Sequence, residues 1–100
     1  MGRRSNRMAA SVQPVSGALT FETVPALYQD TMAWFAGEGE LVIDLSRVTR
    51  TDSAGLALLI EWLRRAREAN RPLRFTGMPP QVETLVRVNG LQDTLINHAA

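Results

Sequence analysis

Apolar residues along this 100-residue chain change their period several times, and the changes mark out its elements. Residues 41–45, Leu-Val-Ile-Asp-Leu, form an apolar run with one acid, bounded by Gly39 and by Ser46-Arg47. Such a run predicts a strand buried on both faces, of the kind found at the centre of a parallel sheet. Residues 18–22 alternate Leu19 and Phe21 against Thr20 and Glu22, which predicts another strand. Residues 11–15 read as a weaker strand, joined to it by a Ser16-Gly17 hairpin turn. A further short strand is predicted over residues 72–76.

Between the strands the period lengthens to that of a helix. Thr23 and Pro25 open a helix that runs to about Ala36, with Leu27, Thr31, Trp34 and Phe35 on one side and Gly37 and Gly39 at its end. Residues 46–52 read as a polar loop, and residues 53–70 as the longest helix. Arg64, Arg65 and Arg67 lie near its C-terminus, where the macrodipole favours cations. Pro79 and Pro80 open a third helix through Val88, with Gly90 placed to be the residue just beyond its cap. Residues 91–97 fit a short strand and a loose helical turn equally well. Polar, unpatterned residues 1–10 predict a disordered tail, leaving residues 11–100 as a single domain. The order β-β-α-β-α-β-α predicts a small α/β sheet with right-handed crossovers.

Composition narrows the chemistry more than it narrows the fold. Hydrophobic residues make up 45% and charged residues 21%, as in an ordinary soluble globular domain. All 11 basic residues are arginine, against 10 acids; cysteine and lysine are absent, and the single histidine, His98, lies near the C-terminus. These counts exclude a disulfide scaffold, a Cys/His metal site, a Schiff-base lysine and a P-loop lysine. A Ser-His-Asp triad would need a histidine from the chain's end. No cofactor is called for. Arg3, Arg4 and Arg7 form a cluster without an acid nearby, while the remaining residues are slightly acidic. The folded part therefore lacks the basic face of a nucleic-acid reader. The cluster reads as a solvated tail, or as a weak tether to an anionic surface. No apolar run is long enough for a signal-peptide core or a transmembrane span, which leads us to expect a cytoplasmic protein.

The segment from Leu41 to Leu63 carries the most information. A buried strand leads into a loop, and the loop ends at a helix start, the place where α/β sheets put their sites. Ser53 reads as the N-cap of that helix, with Asp52 and Asp44 adding negative charge near its positive end. On one reading this is a capped helix and nothing more. On the other, Ser53 is an exposed hydroxyl that a kinase can phosphorylate or a partner can read. A nucleophilic serine has no support, because Gly-x-Ser-x-Gly and an internal histidine are both missing. On a helical wheel the predicted core stripe of the 53–70 helix is Leu56, Leu59, Ile60 and Leu63. Leu58 and Trp62 fall outside it, so they either pack under the first helix or the tail, or form an exposed shoulder next to Ser53 that would anchor a partner.

Ile43-Asp-Leu-Ser-Arg-Val and Thr51-Asp-Ser-Ala-Gly-Leu-Ala-Leu-Leu closely resemble the STAS domain, the fold of bacterial anti-sigma factor antagonists. The resemblance covers about residues 18–95, including Pro72-Leu-Arg-Phe-Thr-Gly and Val88-Asn-Gly-Leu. Within that family, Leu56-Ala-Leu-Leu-Ile-Glu-Trp-Leu-Arg looks most like the MlaB-like, or toluene-tolerance, branch. The resemblance implies an α/β STAS-like fold, a small mixed β-sheet of four to five strands with three or more helices packed on it. It also implies a non-enzymatic subunit that binds the ATPase of a phospholipid ABC transporter and reaches the membrane only through that complex. Ser53 would then occupy the position that is phosphorylated in antagonists and touches the ATPase in MlaB-like proteins. Thr51, Asp52, Ala54 and Gly55 complete the motif, Asp44 and Ser46 match the strand end, and Arg47 and Arg50 flank the presenting loop. The alternative is an anti-sigma factor antagonist released by a serine-kinase partner. Glu61-Trp62 favours the transporter branch, whereas the plain Asp-Ser motif allows either. A small-molecule or lipid-binding domain is the third reading, and the small core speaks against it.

Overall fold

A computed structural model describes residues 11–96. The predicted disorder of residues 1–10 and the tail histidine lie outside the described residues. Three strands, β1 (Ser11–Leu19), β2 (Leu41–Thr51) and β3 (Leu73–Thr76), form one sheet in the order β1-β2-β3. Both pairings are parallel. Helix α1 (Val24–Asp30) and a 3-10 turn (Met32–Ala36) connect β1 to β2, and α2 (Ser53–Glu68) connects β2 to β3. Helices α3 (Pro80–Val88) and α4 (Gln92–Leu95) follow, so the ambiguous segment after Gly90 is helical.

The sheet corrects two expectations. It has three parallel strands among the described residues, where a mixed sheet of four to five was expected. The Ser16-Gly17 hairpin is the cause. Gly17 does adopt the left-handed backbone a turn signal advertises, with φ +85°. The chain uses it for an irregularity within one strand: the register against β2 slips between Pro14 and Ser16 and again between Gly17 and Ala18. At both slips the extra residue belongs to β2, with three steps against two and then two against one, so β2 is the bulged strand and Gly17 lies opposite the second bulge. Pro14 is tolerated because β1 pairs on one side only with β2. With no hairpin among these strands, every connection is a helical crossover and the pairings are parallel.

β2 also runs further than its apolar segment. Residues 46–51, expected as loop, continue the strand against β1, with Val48 buried and Ser46, Arg47, Thr49 and Arg50 exposed. Leu41, Ile43 and Leu45 are fully buried and join Leu59, Trp62, Val82 and Val86 in one core. The first helix is shorter than expected because it changes character at Thr31. The Thr31 hydroxyl donates to Leu27 O at 2.8 Å and accepts from Trp62 Nε1 at 2.9 Å. A side chain that bonds back into its own helix in this way competes with the regular ladder. Helix α3 ends as expected: Gly90 has φ +71°, its N–H donates to Arg87 O at 3.0 Å, and Leu91 N–H donates to Val86 O at 2.9 Å. Those two bonds are the Schellman closure.

Arg71 closes the β1–β2 crossover from the far side. Its guanidinium is buried and donates to three backbone carbonyls, Trp34 O, Glu38 O and Gly39 O. This holds the glycine-rich return loop against the start of β3.

Candidate functional site

Where β1 and β2 end side by side, α2 begins. Leu19 pairs with Thr51, and the Leu19 carbonyl accepts both the Thr51 hydroxyl at 3.0 Å and Asp52 N–H at 3.2 Å. Asp52, in extended backbone, then turns the chain into the helix. Its Oδ1 accepts Ala54 N–H at 2.9 Å and Gly55 N–H at 3.2 Å, while Oδ2 accepts Phe21 N–H at 3.0 Å. Asp52 is therefore the N-cap, one residue earlier than expected, and Ser53 is the first helical residue. The carboxylate's two oxygens accept three N–H bonds at once, more than the two lone pairs of a hydroxyl can take. The three N–H donors, Phe21 foremost and then Gly55 and Ala54, hold the Asp52 carboxyl below its ordinary pKa.

Freed from capping, the Ser53 side chain is exposed. Gly55 beneath it is buried and has no room to spare. A Cβ there would lie 2.0 Å from Thr51 Oγ1, 2.4 Å from Leu19 O and 2.8 Å from Leu19 Cβ. The glycine lets α2 start directly against the ends of both strands. Thr51, Asp52, Ser53, Ala54 and Gly55 are thus brought together as one rigid turn, with Arg50 on its rim.

The other anticipated residues do not join it. Asp44 sits at the end of the β2–β3 pairing, opposite Thr76, with Oδ1 accepting Ser46 N–H at 2.9 Å. Asp44 pairs with Pro14 and Thr51 with Leu19, five steps apart along β1 and about 17 Å at the usual rise, so Asp44 adds no charge at the helix start. The Ser46 N–H, then the Ser46 hydroxyl and the nearby Arg47 charge, hold the Asp44 carboxyl below its ordinary range. Arg47 belongs to this second cluster.

Leu58 and Trp62 are 2% and 0% exposed, so the exposed shoulder does not exist. The buried face of α2 comprises Gly55, Leu56, Leu58, Leu59, Trp62, Leu63 and Ala66, an arc of about 160° centred near Leu59. Ile60, expected in the core, lies outside that arc and is exposed. The arc is wide because α2 packs on the sheet along one edge and on α1 and the 3-10 turn along the other. Trp62 stacks obliquely on Trp34 with ring centroids 5.5 Å apart, in addition to its bond to Thr31.

Phe21, expected in a strand over residues 18–22, belongs to the site. It follows β1 and is 79% exposed, despite its N–H bond to Asp52. Its ring borders an apolar groove of about 530 Å³ between α1 and α2, lined by Val24, Tyr28, Ala57 and Leu58 among others. At the far end Tyr28 donates to Glu61 Oε2 at 3.3 Å, and Arg64 binds Glu61 at 2.6 Å. The alternation of Leu19 with Phe21 is a true strand signal as far as Leu19, where β1 ends two residues before Phe21.

Residues 3–97 match the family described as "Mlab, STAS domain". The chain belongs to the MlaB-type STAS family. It is similar to the intermembrane phospholipid transport system binding protein MlaB of Escherichia coli (strain K12), with 34% identity over 77 residues, 77% of each chain. The MlaB of Shigella flexneri matches with the same identity and coverage. In this MlaB-type STAS domain, no helix among the described residues is long and apolar enough to cross a membrane.

Proposed function

We propose that this chain is a non-enzymatic STAS subunit that binds and regulates the ATPase of an ABC-type phospholipid transport complex, on the cytoplasmic face of the membrane. The reading rests on one observation above the others. In a chain similar to transport-system binding proteins, Ser53 stands exposed on a turn that Asp52 and Gly55 make rigid. A rigid, exposed turn loses little freedom on docking. Binding through it stabilises whichever state of the ATPase makes the better contact, and that is how a subunit without chemistry of its own regulates one that has it.

The test is titration of the purified ATPase with the wild-type chain and with Ser53→Trp. The variant is expected to keep its melting temperature, because the side chain is exposed, and to lose binding by tenfold or more. Equal binding by both proteins overturns the assignment of the Ser53 turn to the interface. The exposed Ser53 hydroxyl also favours the antagonist reading, in which a serine kinase phosphorylates it. Incubation with ATP and a candidate anti-sigma kinase, followed by intact-mass measurement, separates the two.

A further inference from the structure

Phe21 is the most exposed large apolar side chain of the described residues, at 79%. Its loop is nevertheless tied down. Phe21 N–H is held by Asp52, Thr20 N–H donates to Thr23 Oγ1 at 2.9 Å, and Thr23 N–H returns to Thr20 O at 2.9 Å. The ring is therefore held out in water beside an apolar groove, the arrangement of an interface anchor. Resting on the function proposed above, we propose that Phe21 and the α1–α2 groove receive one amphipathic helix of the ATPase subunit.

Three features select a helix of particular charge. Groove-lining residues Ala54, Ala57, Leu58 and Glu61 span two turns of α2, about 10 Å. Over that length the i, i+4 and i+7 side chains of a bound helix meet a groove. Both walls are helical, so their backbone groups are bonded internally and offer no ladder to an extended segment; a helix brings its own hydrogen bonds. Phe21 also borders a second recess, of about 370 Å³, where Glu22 and Arg50 lie without an ion pair to each other. Neither has an ion-pair partner among the described residues, whereas the Asp52 carboxylate accepts three N–H bonds and Glu61 is bound by Arg64. The incoming helix complements this rim with an acidic side chain toward Arg50 and a basic one toward Glu22.

The experiment uses the full chain and the purified ATPase subunit of the same organism's transporter. Calorimetric titration of Phe21→Ala is expected to weaken binding about thirty-fold, the size of an interface hot spot, with an unchanged melting temperature. Val88→Ala removes another exposed apolar side chain, 76% exposed and outside the groove, and leaves affinity unchanged. A photoreactive Phe21→benzoylphenylalanine chain crosslinks to one ATPase helix at residues three or four apart. If wild type binds and Phe21→Ala binds equally well, the anchor is overturned while the docking function stands. If wild type itself fails to bind, both fall. Crosslinks joining two copies of this chain overturn the proposal in favour of self-association.

Discussion

Replacing Gly55 by alanine sets two effects of opposite sign against each other. Gly55 lies within the first turn of α2, and an alanine in a helix is favoured over glycine by about 1 kcal/mol. Against that, the new Cβ would fall 2.0 Å from Thr51 Oγ1 and 2.4 Å from the Leu19 carbonyl. The hydroxyl can rotate away only by breaking its 3.0 Å bond to Leu19 O, which costs about 1 kcal/mol. The carbonyl belongs to a paired strand and cannot rotate, so α2 must shift, at about 1–3 kcal/mol for overpacking. The strain wins, and the net loss is about 2 kcal/mol. Thermal unfolding followed by circular dichroism should show a melting temperature lower by about 10 °C, and urea unfolding a lower midpoint at unchanged slope. Thr51→Ala in the Gly55→Ala background should recover part of the loss and no more, because the Leu19 carbonyl remains. A Gly55→Ala protein as stable as the parent, or more so, would refute the claim that close packing dictates this glycine.

Other substitutions probe the same junction and the core behind it. Because the Asp52 carboxyl titrates below its unfolded value, the stability it supplies is complete above about pH 4 and is lost as pH falls through the lowered native pKa. Asp52→Asn should keep much of the cap and flatten that acid limb in a pH series of melting temperatures; an unchanged limb assigns it elsewhere. Thr31→Ala leaves the buried Trp62 Nε1–H without its acceptor and should cost about 1–3 kcal/mol. Trp62→Phe in the same background should then cost less than it does alone, read from a double-mutant cycle in urea. Arg71→Met removes three donors to backbone carbonyls and should cost about 3 kcal/mol, while Arg74→Met, at an exposed ion pair, should stay within about 1 kcal/mol.

How far the sequence reached depended on the range of the interaction behind each feature. The apolar run at 41–45, the helix over residues 53–70 and the glycine beyond Val88 were legible because each reports on neighbours a few positions away. The motif from Thr51 to Gly55 was legible too, although its cap went to Ser53 when Asp52 takes it. A serine and an aspartate both cap helices, and only the Phe21 N–H, 31 residues away, uses the second carboxylate oxygen. The Ser16-Gly17 signal correctly demanded a left-handed backbone. It could not say whether that backbone reverses the chain or kinks a strand, since the answer lies in the pairing with β2.

By itself the sequence determined the alternation of strands and helices, the central buried strand and the turn that presents Ser53, all products of local periodicity and capping chemistry. The tertiary structure alone decided which azimuth of α2 is buried. Periodicity shows that a helix has an apolar face, but its direction follows from what packs on either side. The sheet on one edge and the Trp34–Thr31 layer on the other drew Trp62 and Leu58 inward and left Ile60 in water.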